Sequence, residues 1–134
     1  MSESEREQFA GMSGEELLRA GIELYNGGSY FEAHEAWEEV WLDAENSERE
    51  FYQGLIQITA AFVHVTRNEY PGSVRLLDAG ISKLARYGVR KEGIELASFV
   101  DGARKAREAL LGLGEKRLSE FDRGLIPRIE LVAS

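Results

Sequence analysis

Apolar residues recur along most of the chain at the three-to-four-residue spacing of amphipathic helices. Serine–glutamate pairs with the capping-box spacing predict helix starts at Ser13, Ser29 and Ser47. Gly-Gly, Pro-Gly and Gly-x-Gly breaks separate the periodic segments. The predicted helices cover residues 14–26, 29–44, 47–68, 71–87 and 95–111, with a short one over 115–123. We find no convincing strand pattern.

These elements predict an all-α fold: a compact bundle of five to six helices with a central antiparallel helical hairpin. The 134 residues are suited to one domain. We expect a flexible acidic N-terminus over residues 1–12 and a single helical-bundle domain over 13–123. An extended C-terminal arm is expected over 124–134, where apolar residues surround Pro127.

Composition narrows the classes of protein. The absence of cysteine excludes disulfides and thiolate metal sites. No apolar run reaches the ~20 residues of a membrane span, and the acidic start is unlike a signal peptide, so we expect a cytoplasmic protein without a membrane partner. The net charge of −8 argues against nucleic acid as a partner, because phosphate binding relies on clustered Lys and Arg.

The charge is unevenly distributed along the chain. Residues 1–66 hold 14 acids against 3 bases, whereas residues 67–107 hold 9 bases against 5 acids. Two interpretations are open. Acidic and basic helices face each other within one domain, or the basic segment contacts an anionic ligand or partner.

Two helices carry polar side chains where apolar ones are expected. On a wheel of the second helix, at about 100° per residue, His34 and Glu38 fall inside the apolar arc and Glu35 lies at its margin. The third helix is apolar almost all the way round, which is typical of a central, buried helix. Its narrow polar strip consists of Gln53, Gln57 and His64.

A short turn joins these two helices, so they must run antiparallel. Counting from the turn, we expect His34 between Gln57 and His64, with Glu38 near Gln57 and Gln53. Polar groups are costly to bury unpaired, so buried ones form hydrogen bonds, bind water or hold a ligand.

Three interpretations of this constellation remain open. It is a core network in which Glu38 orients His34 and the glutamines complete the hydrogen bonds, or a pocket for a small polar or anionic ligand. Alternatively, His34, Glu38 and His64 bind a divalent metal, since imidazole and carboxylate suit zinc, manganese or iron. The motif lacks the second histidine of a zincin, so a metalloprotease is not expected.

The segment from Asn26 to Trp41, NGGSYFEAHEAWEEVW, resembles the signature of the domain of unknown function, family 309. Residues 51–57 and 72–77 are similar to that family's second and third blocks, so the resemblance covers roughly residues 17–110. It implies a compact helical bundle and brings no catalytic assignment. The family motif includes the positions matching His34, Glu35, Glu38, Trp41, Gln53 and Gln57.

We therefore expect a binding protein without a cofactor. It would recognise a small polar or anionic ligand, or a protein partner, at the six motif residues His34, Glu35, Glu38, Trp41, Gln53 and Gln57. We also expect it to form a homodimer. The alternative is a divalent-metal-dependent hydrolase in which Glu35, with a raised pKa, is the general base toward a metal-bound water. A third possibility is a structural adaptor that holds a partner helix in a groove.

Overall fold

The computed structural model describes residues 8–133, which are mostly helical, and the predicted all-α class is confirmed. The α-helices that lie wholly within this part of the chain are α1 (Gly14–Asn26), α2 (Tyr30–Asp43), α3 (Asn46–Thr66), α4 (Tyr70–Leu84) and α5 (Leu96–Leu113). None of these helices is both long and apolar enough to cross a membrane. Residues 1–7 of the predicted flexible N-terminus lie outside the described residues.

One of the three predicted capping boxes forms. The Ser13 side chain accepts a hydrogen bond from the Glu16 amide, and the Glu16 carboxylate accepts one from the Ser13 amide, both at 3.1 Å. The boxes predicted at Ser29 and Ser47 are wrong, because neither α2 nor α3 has a side-chain cap. Ser29 has φ −88° and ψ 65°, which is not the extended conformation of a capping residue, and α3 begins at Asn46, ahead of Ser47.

A close glycine–tryptophan contact joins α1 to α2. Trp37 is fully buried, and its indole N–H donates to the Leu18 carbonyl at 3.2 Å. A Cβ at Gly21 would lie 2.2 Å from the indole nitrogen, so a larger residue cannot occupy that position unless the ring moves. The apolar face of α2 is therefore fixed against α1 by shape and by one hydrogen bond.

The centre of the bundle is α3, which packs against α2 and α4. Its fully buried large side chains are Phe51, Leu55, Ile58 and Phe62. On the α4 side the backbones approach closely, because a Cβ at Gly80 would lie 2.9 Å from the Gly54 carbonyl oxygen. The predicted central α2–α3 hairpin is present, and the glycine crossing fixes the position of α3 against α4.

The chain after α4 differs most from the prediction. The helix predicted to reach residue 87 ends at Leu84 and continues as a 3-10 turn. An antiparallel hairpin follows, formed by β1 (Arg90–Lys91) and β2 (Ile94–Glu95), where we expected no strand. Each strand is two residues long, which is too short to produce a detectable alternation.

Residues 126–133 are extended and lie against α1 and β2. The short helix predicted over 115–123 is replaced by two 3-10 segments, Glu115–Glu120 and Arg123–Leu125, which precede this extended stretch. The Tyr25 hydroxyl donates to the Pro127 carbonyl at 2.7 Å, and burial raises the pKa of Tyr25 well above its usual range. The Asn26 side chain both donates to the Ile129 carbonyl and accepts from the Ile129 amide, each at 2.9 Å.

Candidate functional site

Three side chains of α2 converge, and one of them, His34, faces the end of α3. His34 Nε2 lies 3.0 Å from Glu38 Oε1, one helical turn further on, and His34 Nδ1 lies 3.9 Å from Glu35 Oε1. One ligand atom from each residue lies within 4.8 Å of the other two. We call these three residues the α2 triad.

The α2 triad extends from the core to the surface. The Glu35 side chain is 6% exposed, that of His34 is 20% exposed and that of Glu38 is 41% exposed. On the helical wheel Glu38 lies about 40° from His34 and Glu35 about 100° from it, so the gradient reflects how the rest of the fold covers each side chain. The cluster is therefore held by buried packing and remains accessible from solvent at its Glu38 end.

The surroundings of the α2 triad are acidic. The acidic residues of α2 are Glu32, Glu35, Glu38, Glu39 and Asp43, and the helix contains no Lys or Arg. Within the described residues, Glu32, Glu39 and Asp43 form no ion pair. Carboxylates concentrated on one helix produce a negative potential that attracts cations.

Buried polar atoms of α2 and α3 lack hydrogen-bond partners among the described residues. They are His34 Nδ1, Trp41 Nε1 and Gln57 Oε1. The indole nitrogen can only donate and the amide oxygen can only accept, so each requires a specific complement. Each such group costs about 1–3 kcal/mol when it is buried unpaired. This concentration of unpartnered polar atoms is typical of a binding site. The contact between α1 and α2 differs, because its buried indole N–H has a hydrogen-bond partner.

His64 lies outside the α2 triad. Its Nδ1 is 2.9 Å from the Oε1 atom of Glu69, and Glu69 lies beyond the end of α3. The structure therefore brings Glu35, and not His64, together with His34 and Glu38.

His34 and His64 nevertheless share a cavity of about 140 Å³ between the start of α2 and the end of α3. Its lining residues are Phe31, His34, Ala60, Val63, His64 and Arg67. Phe31 is 39% exposed, and its ring lies 5.6 Å from the Arg67 guanidinium carbon. The cavity therefore combines carbon surface with two imidazole rings and an exposed arginine.

Residues 18–76 match the sequence profile of a protein family described as Domain of unknown function (DUF309). We call this matched segment the DUF309 domain. The match contains the α2 triad, the cavity and both glutamines, and it ends before residue 110, the predicted extent of the resemblance. A search of curated proteins found no match to the chain.

Within the DUF309 domain, the predicted site residues are only partly brought together. His34, Glu35 and Glu38 converge, whereas Gln53 lies one turn before Gln57 on α3 and is half-buried. The predicted core network requires the glutamines to complete its hydrogen bonds, and Gln57 Oε1 completes none.

Sequence reasoning missed Phe31 and Arg67 as candidate site residues. In the sequence, Phe31 is one of many apolar residues of α2 and Arg67 is one of nine bases in the basic segment, so neither stands out. The antiparallel arrangement could have revealed them, because the first turn of α2 must face the last turn of α3.

Most cations of the basic segment lie beyond the DUF309 domain and are paired. Arg86 pairs with Glu50 of α3 at 3.2 Å. The cations paired with acids of their own segment are Arg90, Lys91, Arg104 and Arg107. None of these ion pairs involves α2, so the negative charge of α2 stays largely unbalanced. The Arg86–Glu50 pair is one instance of the predicted arrangement in which acidic and basic segments face each other.

Proposed function

We propose that this protein is a binding protein that holds a divalent cation at the α2 triad. The observation that supports this most is the convergence of one imidazole nitrogen and two carboxylate oxygens within 4.8 Å. Around a tetrahedral zinc ion, ligand atoms about 2.0–2.2 Å from the metal lie about 3.3–3.6 Å apart. The three donor atoms would therefore have to move inward by side-chain rotation when the ion binds.

Charge favours a cation over an anion here. Glu35 and Glu38 together carry two negative charges, which a divalent ion neutralises, and the other α2 acids add to the attraction. A mixed nitrogen and oxygen donor set suits zinc, manganese or iron better than magnesium or calcium, which prefer oxygen ligands alone. Binding requires neutral His34, so the cation would replace any proton shared between His34 and Glu38.

Three protein ligands would leave a coordination position for a small polar ligand. The Trp41 N–H and Gln57 carbonyl oxygen, on the same two helices, offer one donor and one acceptor without partners among the described residues. A hydrolase is less well supported, because Glu35 would then serve as a metal ligand and could not act at the same time as the general base.

The test is a calorimetric titration of zinc and manganese into chelator-treated, tag-free protein. We expect one ion per chain, and Glu38→Gln should weaken binding by at least about tenfold, because even residues that only support metal ligands contribute that much. Glu38 is substantially exposed, so this variant should fold normally.

Glu39→Gln is the matched control, since it removes the same charge from the neighbouring position of the same helix. It should leave the affinity within about twofold, because a charge outside the coordination shell contributes only screened attraction. Absence of stoichiometric binding, or an equal loss of affinity in both variants, would refute the proposed cation site.

A further inference from the structure

We propose that the cavity between the start of α2 and the end of α3 binds a small monocarboxylate with a short apolar tail. This inference concerns a ligand of opposite charge to the cation of the α2 triad. It does not require the cation, although His34 belongs to both places.

Arg67 supplies the charge that would recognise a carboxylate. It is exposed at the rim of the cavity and has no carboxylate partner within the described residues. Its observed contact is with the Phe31 ring, 5.6 Å from the guanidinium carbon. A guanidinium that rests on an aromatic ring keeps its planar fork of N–H donors free, and this fork matches the two oxygens of a carboxylate.

The histidines form a second polar side of the cavity. His64 Nδ1 is engaged by Glu69 at 2.9 Å, so Nε2 is the ring nitrogen that faces a ligand, and it donates to a carboxylate when both ring nitrogens carry a proton. The ring is also held from behind, because a Cβ at Gly72 would lie 3.1 Å from His64 Nδ1. Glu69 and Gly72 therefore fix the orientation of the His64 ring at the cavity.

The remaining walls select for an apolar tail. Ala60, Val63 and the Phe31 ring offer carbon surface and no side-chain donor or acceptor. The volume of about 140 Å³ equals that of about four to five liquid waters. This suits a carboxylate of propionate or butyrate size. Inorganic phosphate would have to bury oxygen atoms against these walls without partners, which is costly.

The chain has two histidines, so their ring proton signals in NMR spectra report directly on the cavity. We would titrate propionate into protein kept in chelator, at constant pH and ionic strength, and assign the signals with His64→Gln. Both histidine signals should shift and saturate with a common midpoint in the millimolar range.

Arg67→Gln should raise that midpoint by about tenfold or more, because a hydrogen bond to a charged group is lost. Arg67→Lys, which keeps the charge but not the fork, should give an intermediate midpoint. The matched control is Arg75→Gln, an exposed arginine of α4 outside the cavity lining, and it should leave the midpoint unchanged.

Several results would overturn the inference. These are an absence of saturable shifts, equal shifts with the uncharged isostere propionamide, equal binding of inorganic phosphate, or an unchanged midpoint in Arg67→Gln. Because chelator is present throughout, a failure here leaves the cation proposal intact, and a failure of cation binding leaves this inference intact.

Discussion

Two tryptophans one helical turn apart on α2 have opposite environments. Trp37 is fully buried, packs on Gly21 and donates its indole N–H to the Leu18 carbonyl. Trp41 is half-buried, its N–H has no partner among the described residues, and the Arg49 guanidinium lies 3.8 Å from its ring centroid. The same residue type on one helix therefore serves packing in one place and leaves a donor uncommitted in the other.

This difference separates the two contacts of α2. The contact with α1 is fixed by shape, because glycine is required beneath the indole ring and the polar atom of the ring is satisfied. The contact with α3 contains His34 of the α2 triad and the unpartnered atoms. We infer that the first contact stabilises the fold and that the second retains binding capacity.

The largest effect is expected from Gly21→Ala. The added Cβ would lie 2.2 Å from Trp37 Nε1, so the ring must move and its hydrogen bond is lost. We expect the free energy of unfolding to fall by about 3 kcal/mol in chemical denaturation. Gly112→Ala, with no atom within 4 Å of its Cβ, is the control and should be neutral or stabilising. Equal stability of the two variants would show that the α1–α2 contact adapts.

The next largest effect compares the tryptophans directly. Trp37→Phe should lower the free energy of unfolding by about 2 kcal/mol, because it leaves a small cavity and removes one buried hydrogen bond. Trp41→Phe should cost less than about 1 kcal/mol, since its N–H has no hydrogen bond to lose. Thermal and chemical unfolding of both variants would measure the difference, and similar losses would contradict the contrast.

Cation removal should have a smaller effect, confined to the α2–α3 contact. At a free zinc concentration ten times the dissociation constant, bound zinc should stabilise the wild type by about 1.4 kcal/mol relative to protein in chelator. Gly21→Ala should show the same difference, because its defect is at the other contact. Loss of the zinc effect in that variant, measured by thermal unfolding, would show that the two contacts are coupled.

The smallest effect is expected at the exposed side of Trp41. Arg49→Gln removes the cation above the ring and should cost about 0.5–1 kcal/mol. In a Trp37→Phe background, Trp41 is the remaining tryptophan, so its fluorescence reports the change. The emission maximum of Trp41 should shift in Arg49→Gln and stay constant in Arg75→Gln. An equal shift in both variants would show that it arises from the change in net charge and not from the contact between Arg49 and Trp41.

Some local features of the fold and site could be predicted from the sequence, although the capping boxes expected at Ser29 and Ser47 do not form. The Ser13–Glu16 box and the His34–Glu38 pair depend on residues three or four apart on one helix. Contacts that cross the end of a helix could not be predicted. His64 is paired with Glu69, which follows the helix end and cannot be placed on a wheel.

The hairpin of β1 and β2 is also non-local in origin. Its short strands are supported by the C-terminal segment, through a bridge between Ile94 and Leu131. A pattern within residues 90–95 cannot show a contact that comes from more than thirty residues further along.

The double hydrogen bond between Asn26 and Ile129 has a consequence for the order of folding. It joins residues 103 apart in sequence, whereas α1 and α2 meet across a short turn. Closing so long a loop has a larger entropic cost, so we expect the helical hairpins to assemble first and the extended segment to dock afterwards. The Ile129 amide, protected by the Asn26 side chain, is therefore a reporter of this last step in hydrogen exchange.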